Sequence, residues 1–279
     1  MSQNYSYQTT DGFKISITTF GNENFEKGNC VILVHGFKGF KDWGFGPYIA
    51  DYFAKNKYFV ITFNFSHNGI GENPTEFTEL HKFANNTYSR EISELGQIIS
   101  IYKNGFFGKT NPFGKLGVIG HSRGGAISII VSSNNENVGA LATWATISNF
   151  DRYKERQKSD WKKRGFVEIL NTRTKQKMRL NLALLNDIEN NAELLDLEKA
   201  LNKYHKPYLI IHGDQDLAVP VEEAEILFNY ADKDFTKFEK IKGTGHTFDV
   251  KHPFDGSTKA FDLVINKTLE FFNSSFYGK

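Results

Sequence analysis

What most constrains this chain is a series of short apolar runs rich in β-branched residues. They are CVILVHG (30–36), YFVITFNF (58–65), KLGVIG (115–120), ALATWATI (140–147) and KPYLIIHG (206–213). The runs are continuously apolar rather than alternating, so each strand must be covered on both faces, as in a parallel sheet sandwiched by helices. Helical patterns lie between them: Tyr88, Ile92, Leu95, Ile99 and Tyr102 recur at steps of four and three, marking one face of a helix. A closing helix is expected from Ser257, with that serine as N-cap and Phe261, Val264, Ile265 and Thr268 on its buried face. KISITTF near the start alternates, as an antiparallel leading strand would. At 279 residues, the chain is expected to form one α/β domain with a mostly parallel central sheet covered by helices on both faces.

The formal charge of +2 gives no support to nucleic-acid binding. No apolar run approaches the roughly 20 residues of a membrane span. Cys30 is the single cysteine, so an intrachain disulfide is excluded and a reducing compartment fits best. The opening MSQNYSYQTTDGFK lacks the basic and apolar regions of a secretory signal, and a cytoplasmic location is expected.

One segment breaks the alternation. From about 149 to 201 the sequence is polar and reads as a helical cap or lid insertion. Its stretch 151–179 holds eleven Lys/Arg against four Asp/Glu, and 186–199 is acidic. An insertion between late strands of an open sheet falls over the carboxyl ends of the strands, where such folds bind ligands. The basic stretch is either a solvated helical face or an attractant for an anionic substrate.

Gly120-His121-Ser122-Arg123-Gly124 follows a strand and opens a helix. In that context Gly-x-Ser-x-Gly forces the serine into a tight turn and lifts its hydroxyl clear of the sheet. A serine hydroxyl needs a base, and the base an orienting acid. Asp214 and Asp216 follow one late strand, in KPYLIIHGDQDLAVP, and His246 follows another, in FEKIKGTGHTF. Either aspartate satisfies the order Ser, Asp, His.

These motifs resemble the α/β-hydrolase superfamily of serine esterases, and are similar to its bacterial cinnamoyl/feruloyl-esterase and dienelactone-hydrolase-like branch. The resemblance spans nearly the whole chain except the cap. It implies one α/β-hydrolase domain over 1–279 and an elbow nucleophile at Ser122. HGDQDLAVP matches the acid loop, whose second aspartate implies Asp216, and GTGH implies His246 as base. His35-Gly36-Phe37 matches the oxyanion loop, so the backbone N–H groups of Phe37 and Arg123 are the implied oxyanion donors. FNFSHNGIG (63–71) departs from the Asp-x-Arg-Gly-x-Gly loop common in relatives, which is expected to alter loop anchoring and the pocket.

The resulting expectation is a cofactor-free, metal-free serine carboxylesterase acting on a small-molecule ester, with a homodimer left open. A thioesterase, acyltransferase or peptidase with the same triad, and a non-catalytic relative, are the alternatives. His35 reads as a structural hydrogen-bonder, His121 as facing the sheet or its packing helix, and His67, His81, His205 and His212 as surface or loop residues. Asp214 reads as a turn residue bonding its own backbone. Trp144, Trp161 and Phe166 are candidates to contact an aromatic acyl group. Gly105-Phe-Phe-Gly108-Lys109-Thr110 has too few residues between its glycines for a phosphate-binding loop.

Overall fold

A computed structural model describes residues 2–278. The chain opens with β1 (Gln3–Gln8) and β2 (Lys14–Phe20), then β3 (Cys30–Val34), α1 (Gly46–Lys55) and β4 (Phe59–Phe63). Next come α2 (Leu80–Ala84), α3 (Tyr88–Lys103), β5 (Leu116–His121), α4 (Arg123–Ser133) and β6 (Val138–Trp144). The insertion follows with α5 (Glu155–Arg164), β7 (Phe166–Asn171), β8 (Gln176–Asn181), α6 (Leu182–Asn190) and α7 (Leu197–Leu201). The chain closes with β9 (Tyr208–Gly213), α8 (Val221–Tyr230), β10 (Thr236–Ile241) and α9 (Lys259–Tyr277).

The main sheet has eight strands in the order β1-β2-β4-β3-β5-β6-β9-β10. From β4 to β10 every pairing is parallel, while β2 runs antiparallel to β4 and to β1. The five apolar runs are the five central strands, and β3, β4, β5, β6 and β9 are almost wholly buried. Their side chains feed two cores, one on each face of the sheet. Ile32, Val118 and Leu141 pack with Leu95, Ile98 and Ile99 of α3 and with Ile127 and Ile130 of α4. Val31, Ile119 and Ala142 pack with Ile49 and Phe53 of α1 and with Phe261, Val264 and Phe272 of α9. Thr258, not Ser257, caps α9: its side chain accepts from the Phe261 N–H, while the Ser257 hydroxyl bonds Asp262 one turn in.

The insertion departs from the helical expectation. It carries three helices and also a two-stranded antiparallel hairpin, β7–β8. Val167 pairs with Leu180 and Ile169 with Met178, while Glu168 and Arg179 sit opposite each other on the other face and form an ion pair at 3.4 Å. Met178 and Leu180 join the core beside α3 and α4, so the hairpin is clamped to the main body by its apolar face. The alternation is only three residues deep per strand and is crowded by Lys and Arg, so the charge run masks its period of two. No helix among the described residues is long and apolar enough to cross a membrane.

Candidate active site

Ser122 occupies the single residue between β5 and α4, with φ 56° and ψ −124°. A non-glycine side chain in this region is strained by about 1–3 kcal/mol, and such strain persists only where the surroundings enforce it. The Ser122 N–H donates to the Trp144 carbonyl at 2.8 Å, and its own carbonyl accepts from Gly125 at 3.0 Å. Close packing explains the flanking glycine: a Cβ on Gly124 would stand 2.4 Å from the His35 carbonyl oxygen. The turn therefore presses directly against the HGF loop. A Cβ on Gly36 would in turn lie 2.9 Å from Ser122 Cβ. The backbone at Phe37 thus runs beside the serine, and the Arg123 N–H stands at the N-terminus of a helix. Neither N–H finds an acceptor among the turn and loop hydrogen bonds of the described residues. Unused donors beside a serine suit a developing oxyanion.

Asp216 lies on the loop after β9, and His246 on the loop after β10. His246 Nδ1 is 2.7 Å from Asp216 Oδ2. The other carboxylate oxygen accepts from the Ala218 and Val219 N–H groups at 2.8 and 2.9 Å. His212, fully buried on β9, puts Nε2 2.8 Å from the Val219 carbonyl and 3.3 Å from Asp216 Oδ2. Burial alone would push the Asp216 carboxyl up, but the hydrogen bonds from His212, His246 and Val219 outweigh it and hold the group well below the usual carboxylate range. An ionised Asp216 fixes the proton of His246 on Nδ1 and leaves Nε2 free to accept one. Ser122 Oγ makes no hydrogen bond to His246 among the described residues, although both line one cavity of about 380 Å³.

The Arg123 side chain turns away from the reaction centre. It is buried, with Nη2 2.5 Å from Glu91 Oε1 on α3, and its guanidinium lies 4.7 Å from the Phe37 ring and 5.7 Å from that of Tyr88. The same residue thus places a main-chain donor at the serine and ties the elbow to α3 and to the His35–Phe37 loop. Its Nε and Glu91 Oε2 have no partner among the described residues.

The other histidines sort by partner. His35 accepts from the Phe65 N–H at Nε2 (3.2 Å) and places Nδ1 3.0 Å from the Gly36 carbonyl. Burial drives its pKa down to about 4, so it anchors the loop as a neutral ring. His121 faces α1 and the histidine loop: its ring lies 4.8 Å from that of His246, tilted by 53°, and Nε2 is 2.9 Å from the His246 carbonyl. Burial takes its pKa to about 3. One expectation fails here: His212 is no loop residue but lies fully buried on β9 beside Asp216. His67 is a loop residue as expected, though buried beside Ser66, with burial lowering its pKa to about 4. His205 and His81 are exposed, as expected. Asp214 is a turn residue that bonds across the loop, accepting from the Gly243 N–H at 2.6 Å rather than from its own neighbours. The signal for His212 was in the sequence: it stands four residues before Asp216 at the end of the same run.

The 63–71 loop is anchored by buried polar contacts. Asn64 Oδ1 accepts from the Lys41 N–H at 2.7 Å, and Glu94 accepts from the Ser66 N–H at 2.9 Å and from its hydroxyl. Of the three aromatic candidates, Trp144 reaches the cavity, but it is fully buried with Nε1 3.1 Å from Thr268 Oγ1. Trp161 packs inside the insertion against Tyr153, and Phe166 lies between Arg164 and Arg179. From the insertion, only Asn171, Thr172 and Arg173 at the hairpin tip line the cavity. No group of three or more potential metal ligands occurs among the described residues.

A family model described as the alpha/beta hydrolase fold matches residues 29–168, and one described as the prolyl oligopeptidase family matches 100–272. The chain belongs to the α/β-hydrolase fold family, within which its residues 100–272 fit the prolyl oligopeptidase family. No curated protein sequence matches it. Three similar solved structures share its fold. Est1E from Butyrivibrio proteoclasticus, with ferulic acid bound, is 18% identical with TM-score 0.72, covering 97% of this chain and 99% of its own. A putative hydrolase from Agrobacterium vitis S4 is 16% identical with TM-score 0.71, covering 97% and 98%. The monoacylglycerol lipase of Paleococcus ferrophilus is 16% identical with TM-score 0.68, covering 98% and 99%.

Proposed function

We propose that this chain is a serine hydrolase that cleaves carboxylic esters through an acyl-enzyme, with Ser122 as nucleophile, His246 as base and Asp216 as orienting acid. The observation that carries the reading is a strained serine at a strand-to-helix turn, sharing one cavity with a histidine whose Nδ1 is held by a buried, ionised aspartate. His246 Nε2 takes the Ser122 proton as Oγ attacks the ester carbonyl. This transfer requires a Ser122–His246 hydrogen bond to form when substrate occupies the cavity, as catalytic contacts that are long in the free enzyme commonly do. The oxyanion accepts from the Phe37 and Arg123 N–H groups. Collapse expels the alcohol, which receives the proton from the imidazolium, and water activated by the same ring clears the acyl group. Replacing Ser122 by Ala should cut turnover of short p-nitrophenyl esters on the order of 10⁴-fold or more; wild-type turnover in that variant refutes the mechanism.

Peptide-bond cleavage is a second reading, favoured by the prolyl oligopeptidase match over 100–272. Parallel assay of matched p-nitrophenyl esters and p-nitroanilides separates the two, and a higher kcat/KM on the anilide selects the peptidase. Because Est1E of similar fold holds ferulic acid, aromatic acyl esters belong in the first panel.

A further inference from the structure

The cavity at Ser122 is electrostatically one-sided. Three cationic side chains line it, Lys38, Lys41 and Arg173, and no Asp or Glu does. Lys41 is paired with Asp42 at 2.6 Å, whereas Lys38 and Arg173 form no ion pair among the described residues. They come from unrelated parts of the chain: Lys38 directly follows the oxyanion-loop Phe37, and Arg173 sits at the tip of the β7–β8 hairpin. Arg173 is seated against aromatic rings, its guanidinium 5.4 Å from Phe40 and 5.8 Å from Phe77, and its Nη1 is buried without a hydrogen-bond partner. Lys38 has φ 55°, a strained backbone that keeps its residue on the cavity wall.

Four other cations of the basic segment are paired, Arg152 with Glu223, Lys158 with Asp151, Lys162 with Glu189 and Arg179 with Glu168. Of the stretch 151–179, Arg173 is the charged member that reaches the serine's cavity. Burial lowers the pKa of both Lys38 and Arg173, and Arg173 lowers that of Lys38 further by like-charge repulsion. An anion lodged between them would reverse that repulsion.

We propose that Lys38 and Arg173 form an anion-binding subsite of the Ser122 cavity, and that the substrate is an ester carrying a second, oxyanionic group, a carboxylate or a phosphate. This rests on the serine-hydrolase reading for its chemistry but not for its binding. The planar guanidinium, seated beside the Phe40 and Phe77 rings, is suited to a two-point contact with such a group, and the lysine adds a point charge beside the oxyanion loop. The anionic end orients the substrate so that its ester carbonyl meets Ser122.

The test compares mono-p-nitrophenyl glutarate with p-nitrophenyl valerate, which have the same acyl length and differ by a carboxylate. The ratio of kcat/KM for the anionic over the neutral ester should fall about ten-fold in Arg173→Gln, and less in Arg173→Lys. In the wild type that ratio should also decline as salt is raised. Separately, glutarate and inorganic phosphate are titrated calorimetrically into Ser122→Ala. Saturable binding is expected, glutarate binding favouring a carboxylate substrate and phosphate binding a phosphorylated one, and adding Arg173→Gln should abolish it. An unmoved ratio together with no saturable binding of either anion overturns the subsite. Binding that depends on Arg173 without turnover of either ester upholds the subsite and removes the hydrolase reading instead.

Discussion

Two buried carboxylates flank the elbow and behave in opposite ways. Asp216 and Glu91 both have fully buried side chains, and each meets a cationic or potentially cationic partner within 2.7 Å. Yet Asp216 is held far below the usual carboxylate range, while burial pushes Glu91 up in spite of Arg123 and Asn86. The difference lies in the number of donors. Both oxygens of Asp216 are engaged, one by two backbone N–H groups and the other by two imidazoles. At Glu91, Oε1 takes both Asn86 Nδ2 and Arg123 Nη2, and Oε2 is left with none. Desolvation costs an ion more than one good partner returns, and only a saturated set of donors reverses the sign. Asp216 is thereby fit to be a permanent anion beside a histidine. Glu91 serves the scaffold, tying α3 to the nucleophile helix.

The largest effect should come from removing the charge of the saturated member. Asp216→Asn keeps its volume but allows His246 to adopt the wrong tautomer, so kcat on p-nitrophenyl esters should drop on the order of 10⁴-fold. A loss of less than about ten-fold would mean that Asp216 does not act through His246. On the unsaturated side the effect should appear in stability. Glu91→Ala leaves Arg123 buried and unpaired and should cost about 3–5 kcal/mol, whereas replacing both partners by Met should be close to neutral. Chemical denaturation of the two variants against the wild type checks this, and equal losses in both would show that the pair itself carries the stability.

The smallest effect concerns a third buried carboxylate, Glu94, which holds the 63–71 loop through Ser66. Burial raises its pKa to about 7 from an ordinary 4.5, against the opposing hydrogen bonds from Ser66. The folded state therefore keeps this proton more tightly than the unfolded chain. The stabilisation is complete below about pH 4.5 and is lost as pH rises through about 7. Glu94→Gln should accordingly unfold like the wild type near pH 4 and be more stable by about 1–3 kcal/mol at pH 8. The opposite pH dependence would place Glu94 with Asp216 among the saturated carboxylates.

The sequence made legible whatever local periodicity or a compact motif encodes. The five apolar runs became the five central strands because no charged residue interrupts their interiors, and Ser122, Asp216 and His246 stood out because each falls in the turn or loop that follows a strand. What it hid depends on contacts across the chain. Arg123 could be placed in the elbow, but its side chain was unreadable because Glu91 is 32 residues away on another helix. The hairpin of β7 and β8 was hidden under a charge run that crowds its short alternation. The same run suggested a diffuse basic surface, where the fold brings a single arginine to the cavity. Polar partners without a local pattern, such as Ser66 on Glu94, emerge only when the sheet is assembled.

The most direct test of the central claim is covalent labelling with a fluorophosphonate, followed by mass spectrometry of the digested protein. One adduct is expected, on the peptide that carries Ser122, absent in Ser122→Ala and formed far more slowly in Asp216→Asn. A protein that hydrolyses esters yet is labelled elsewhere, or not at all, would contradict the assignment of Ser122 as the nucleophile.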